Sequence, residues 1–118
     1  MRLASLPAYA ICLARKPPSA RVVCSWRNVF PYLTIANAVD AMDLDIGSDS
    51  RLHPLGRMHI ENPEHSGETV FALPSKGAFA CALSHYAVCK IAARSKRGVV
   101  VIEQDVELSA EAQATLRS

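Results

Sequence analysis

The sequence predicts an α/β domain built on a largely parallel sheet. Three observations carry that expectation. Short apolar runs alternate with segments of helical periodicity, in the order β-α-β-loop-(β)-α-β-α. Ser19, Ser75 and Ser109 each stand just ahead of a helical segment, where a side-chain oxygen can cap the first turn. Val99, Val100, Val101 and Ile102 are four β-branched residues in a row, the pattern of a strand buried on both faces.

The apolar run Tyr9-Ala10-Ile11-Cys12-Leu13 reads as the first strand, followed by a proline-marked turn at 14–18. Ser19 caps a helix over 20–30, with Val22, Val23, Trp26, Val29 and Phe30 on its apolar face, and Pro31 ends it. Residues 32–39 read as a second strand, because Tyr32, Thr34 and Ile35 favour extended structure. An acidic stretch at 40–45 leads into the least periodic part, 47–74, expected to be mostly loop with a short strand at 69–73. Its His53, His59 and His65 are six apart, which is not helical ligand spacing, so they read as exposed loop histidines. Ser75 caps the strongest helix, 77–95, where Phe79, Leu83, Tyr86, Ala87 and Ile91 recur on one face. Gly98 breaks the chain before the strand at 99–102, and Ser109 caps a last helix through Leu116.

A chain of 118 residues allows one domain with a core of modest size. Half of it is hydrophobic and 20% is charged, as in ordinary globular proteins. A net charge of +2 steers little toward nucleic acid, so no nucleic-acid partner is expected. Arg94, Lys96 and Arg97 read as a solvated helix end. Cys12, Cys24, Cys81 and Cys89 contain no CxxC pair, which argues against a zinc site. Cys81 and Cys89 lie about 12 Å apart along one helix, too far for a disulfide. Buried, reduced cysteines and a cytoplasmic location are therefore expected. No apolar run approaches the roughly 20 residues of a membrane span. The stretch after Arg2 has some likeness to a signal peptide, but a first strand accounts better for Pro7 and Tyr9.

The chemistry gathers around residues 84–105. Glu103 and Asp105 stand at i and i+2 beyond the apolar strand, and on extended backbone they point to the same side. Two such carboxylates can hold one hard cation, Mg²⁺ or Mn²⁺; the alternative is a solvated strand end before a turn. Ligands of open α/β sheets bind at this carboxyl edge. His85, in mid-helix, is placed to donate to a phosphate or a carboxylate. Ser84 is expected to bond a backbone carbonyl one turn back.

Three blocks carry a resemblance. The first is Tyr9-Ala10-Ile11-Cys12-Leu13-Ala14-Arg15, a strand with a basic turn. The second is Ala38-Val39-Asp40-Ala41-Met42-Asp43-Leu44, similar to an "AVDG.DL" segment. The third runs from Gly77 through Cys81-Ala82-Leu83-Ser84-His85 to Asp105: a glycine, "CALSH", a helix and an apolar strand ending like "LEDD". In this order they resemble the family 25 glycosyltransferases, the lipooligosaccharide and collagen galactosyltransferases. The likeness covers nearly the whole chain and is weakest over 47–74.

The resemblance implies a GT-A-like fold, a mostly parallel sheet flanked by helices, here truncated to one domain over 1–118 that is the N-terminal part of the family domain. It implies inverting transfer of a hexose, often galactose, from a UDP-sugar to a lipopolysaccharide-type glycan acceptor. It places the protein in the cytoplasm, peripheral to the inner membrane. Carried over residue by residue, Leu13 and Arg15 border the nucleotide and Asp40 lies near the base or ribose. Ser84 and His85 support the donor site, Glu103 contacts the ribose or the metal, and Asp105 ligates Mn²⁺ or Mg²⁺. Gln104 departs from the pattern by replacing the middle acid, which removes a charge a hard cation would use. The family's later half, with its acceptor contacts and general base, has no counterpart in these residues. A relative that binds nucleotide-sugar or packs on a partner without catalysis is the competing expectation. An exposed sheet edge would favour self-association.

Overall fold

The computed structural model describes residues 2–52 and 75–118. The strand expected at 69–73 and His53, His59 and His65 lie outside the described residues. In chain order the elements are β1 (Ala8–Cys12), α1 (Ala20–Arg27), β2 (Leu33–Asn37), α2 (Lys76–Arg94), β3 (Val100–Glu103) and α3 (Ala110–Arg117), with short 3-10 turns at Leu3–Ser5 and Ala41–Asp43. The chain divides into two compact units, Met1–Ala38 with His85–Ser118, and Val39–Ser84; the division falls inside α2.

In the first unit the described strands form a three-stranded sheet in the order β2-β1-β3, and both pairings are parallel. Ala10 stands opposite Ile35 on one side and Ile102 on the other. This is a small α/β domain with a parallel sheet and helices, a generic doubly wound arrangement. The chain enters at the central strand, steps to one side for β2 and to the other for β3. Order reverses between β1 and β3, where open α/β sheets place their ligands.

The caps at positions 19 and 109 form as the sequence indicates. Ser19 accepts from the Val22 N–H and Ser109 from the Ala112 N–H, each satisfying a donor that the first helical turn leaves open. Ser75 Oγ likewise accepts from the Ala78 N–H. Gly98 adopts a φ of 86°, which glycine takes without the steric penalty of a side chain, and this lets the chain turn from α2 into β3.

The core of this unit gathers Ala8, Ala10 and Cys12 from β1, Ile102 from β3, and Trp26, Val29 and Phe30 from α1 and its exit. The small residues of β1 leave room for the indole of Trp26, which is wholly buried. Burial pushes the Cys12 thiol up, so it stays protonated and inert. In the second unit Ile46, Leu52 and Phe79 form a small separate cluster with Leu44 and Leu83 against it.

Three expectations need correction. The strand buried on both faces is β1, not the valine run. β3 pairs only with β1 among the described strands, and of its residues only Ile102 is buried while Val101 remains 41% exposed. The apolar face of α2 is also rotated. Phe79 is buried and Leu83 partly so, but Ala80, Ser84 and Val88 complete the buried side while Tyr86 is 61% exposed. The pattern misled because the polar Ser84 counts as a buried position once its hydroxyl is satisfied. Lastly, only Cys12 is buried; Cys24, Cys81 and Cys89 are exposed, and no disulfide joins any of the four.

Candidate functional site

Within the first unit, the ends of β1 and β3 and the start of the second half of α2 meet around Gln104 and Glu103. Glu103 is the last residue of β3 and stands opposite Ile11. Its Oε1 lies 3.4 Å from His85 Nε2, both side chains partly exposed. The histidine thus faces a carboxylate, one of the two partners the sequence suggests for it. At this exposure such a pair contributes at most about 1 kcal/mol to stability, so its interest is chemical.

The strand ends before Asp105. The Val106 N–H donates to the Glu103 carbonyl at 3.1 Å, which closes a turn over 103–106. The extended geometry that would set Glu103 and Asp105 on one side is therefore absent, and Asp105 is an exposed turn residue. Hydrogen bonding explains the turn. Trp26 Nε1 donates to the Val106 carbonyl at 2.7 Å, pulling the chain back over α1.

Gln104 occupies the middle of this segment and both ends of its carboxamide are hydrogen-bonded. Oε1 accepts from the Leu13 N–H at 2.6 Å, and Nε2 donates to the Lys16 carbonyl at 3.0 Å. The loop after β1 is thereby tied to the loop after β3. Leu13 and Arg15, expected at the nucleotide border, sit in that first loop, with Arg15 exposed. Beside it a depression of about 240 Å³ is lined by Leu13, Ala14, Pro17, Pro18, Ile35 and Asn37, among others.

Two expected residues belong to the second unit. Asp40 caps the 3-10 turn Ala41–Asp43, its Oδ1 accepting from the Met42 N–H at 3.0 Å. Ser84 is buried, donates to the Ala80 carbonyl at 2.9 Å as expected, and accepts from the Val39 N–H at 2.8 Å. Both have local structural duties.

Cys81 was not singled out by the sequence as a ligand. It precedes His85 by four residues on one continuous helix, so the two share a helix face. With Glu103 they make a Cys/His/Glu group able to hold a metal ion. The C-x3-H spacing on a helix is the signal that could have found it; the search for CxxC pairs passes over it. A thiolate, an imidazole and a carboxylate suit Zn²⁺, whereas Mg²⁺ and Mn²⁺ favour oxygen donors. The group therefore fits the hard cation that the family likeness implies poorly, and Asp105 is not a member of it.

Comparison of the chain with family models, with curated proteins and with solved structures finds no match. Among the described residues no helix is long and apolar enough to cross a membrane.

Proposed function

We propose that this chain carries the donor-binding part of a family 25-type glycosyltransferase. In this reading a hexose, galactose in the first instance, passes from a UDP-sugar to a lipopolysaccharide-type acceptor in the cytoplasm. One observation supports it above the rest. Leu13 and Gln104, 91 positions apart in the chain, meet at the carboxyl edge of a parallel sheet where the strand order reverses. That edge is the usual ligand position of such sheets, and Leu13, Arg15 and Glu103 are all found on it. A divalent cation held in that place would supply positive charge to offset that of the leaving nucleotide. Glu103 and Asp105 are the residues assigned to Mn²⁺ or Mg²⁺ in this reading.

Engagement of Gln104 with the loop favours a second reading, in which the chain binds a nucleotide-sugar and does not turn it over. Calorimetric titration of the full chain with UDP-galactose, alone and with Mn²⁺ or Zn²⁺, tests the donor site. Saturable binding is expected in the native chain; strengthening by Mn²⁺ that is lost in Asp105→Ala would support the assigned pair of acids, and strengthening by Zn²⁺ alone would count against it. No binding under any of these conditions would sink the donor-site reading. Release of UDP in the presence of a lipooligosaccharide acceptor separates the transferase from the binder.

A further inference from the structure

We infer that Gln104 is a positioning residue that shapes the pocket beside the β1–α1 loop from outside it. The loop presents two backbone groups of opposite kind to the end of β3. The Leu13 N–H needs an acceptor, and the Lys16 carbonyl needs a donor. A carboxamide supplies both at once, at 2.6 Å and 3.0 Å. The same turn is closed internally by the Lys16 N–H, which donates to the Leu13 carbonyl at 3.2 Å. Gln104 therefore clamps a preformed turn onto the neighbouring strand's exit.

Neither an acid nor an apolar side chain of this size does the same. A glutamate offers acceptors only, so it keeps the Leu13 bond and sets a carboxylate against the Lys16 carbonyl oxygen. An aspartate, the residue of the family pattern, is also a methylene shorter. A methionine fills the space and makes neither bond. The position that the pattern gives to an acid is thus used here to hold a loop.

The clamp acts on the pocket through the backbone. Leu13, Ala14, Pro17 and Pro18 line one wall of the 240 Å³ depression, and Ile35 and Asn37 come from β2. Gln104 is not part of that lining. Pro17 and Pro18 fix their own φ angles, which stiffens the far end of the loop, while the near end is held at Leu13 and Lys16. Release of the clamp frees the wall without removing any group that a ligand touches.

The identity of the pocket's ligand rests on the donor-binding reading; the clamp does not. The test uses the isotopically labelled full chain as native, Gln104→Met and Gln104→Glu. Two readouts need no ligand: hydrogen exchange at the Leu13 amide, and the chemical shifts of Ala14, Ile35 and Asn37. In Gln104→Met the Leu13 amide should exchange about tenfold faster or more and the pocket shifts should move. Gln104→Glu should retain Leu13 protection and still move Ala14. Affinity for UDP, the probe for the pocket, should fall about tenfold in Gln104→Met while the chain stays folded. Unaltered Leu13 exchange and pocket shifts in Gln104→Met would overturn the inference. A response in both, with no UDP binding by the native chain, would support the clamp and count against the donor reading alone.

Discussion

Trp26→Ala is expected to lower the stability of the chain by about 3–5 kcal/mol. Domains of this size are commonly stable by only about 5–15 kcal/mol, so the variant should stand near the edge of unfolding. Two causes add. The indole is wholly buried between α1 and the sheet, where Ala8, Ala10 and Cys12 leave the space that it fills. These small residues cannot collapse into the cavity its removal leaves. The indole N–H also donates to the Val106 carbonyl at 2.7 Å, and this bond turns the chain just beyond Asp105. Trp26→Phe keeps a six-membered ring but loses the bond and part of the buried volume, so it should cost less than Trp26→Ala, about 1–3 kcal/mol. Chemical denaturation of the three chains gives that order. An alanine variant within about 1 kcal/mol of the native chain would contradict the packing described.

The second large effect is expected at Ser25, a small polar residue with no apolar signature. Its hydroxyl is buried, donates to the Val22 carbonyl at 2.6 Å and accepts from the Leu108 N–H at 3.1 Å. Ser25→Ala leaves the Leu108 N–H without its acceptor in a partly buried place. The expected loss is about 1–3 kcal/mol, read as a lower denaturation midpoint with an unchanged slope. Nearby, Arg21 Nε and Glu107 Oε1 approach to 3.0 Å, yet both side chains are well exposed, and such pairs contribute at most about 1 kcal/mol. The chemistry of attachment between α1 and the chain after β3 is thus buried hydrogen bonding, with the visible ion pair a minor contributor. A loss at Ser25 no larger than a surface substitution produces would contradict this.

Much of the fold is legible in the sequence because it depends on local rules. Ser19 and Ser109 cap helices since their side chains sit at the right offset from open N–H groups. Apolar runs alternating with helical periods leave a parallel sheet as the simple solution. The back-bond of Ser84 is likewise a property of a serine inside a helix. What stays hidden depends on partners far away in the chain. Four β-branched residues read the same in a strand with one described neighbour as in a strand with two, so the sequence does not distinguish β3 from β1. Alternation of Glu103 and Asp105 predicts one shared side only while the backbone stays extended, and the bond from Trp26 to Val106 bends it. Gln104 looks like a lost charge in sequence. Its hydrogen bonds to Leu13 and Lys16 reveal a clamp across roughly 90 residues. Cys81 and His85 were close enough in sequence to be paired, but only with Glu103 at the end of β3 does their spacing acquire meaning.

Under the proposed function, the carboxyl edge of the sheet, at the β1–α1 loop and the end of β3, would receive a nucleoside diphosphate. Titration of the labelled full chain with UDP, followed amide by amide, tests it most directly. The amides of Leu13, Ala14, Arg15 and Glu103 should shift together and saturate along one binding curve. Shifts confined to the depression between α1 and α3, at Arg21, Asn28 and Gln113, or no saturable shift at all, would contradict the account.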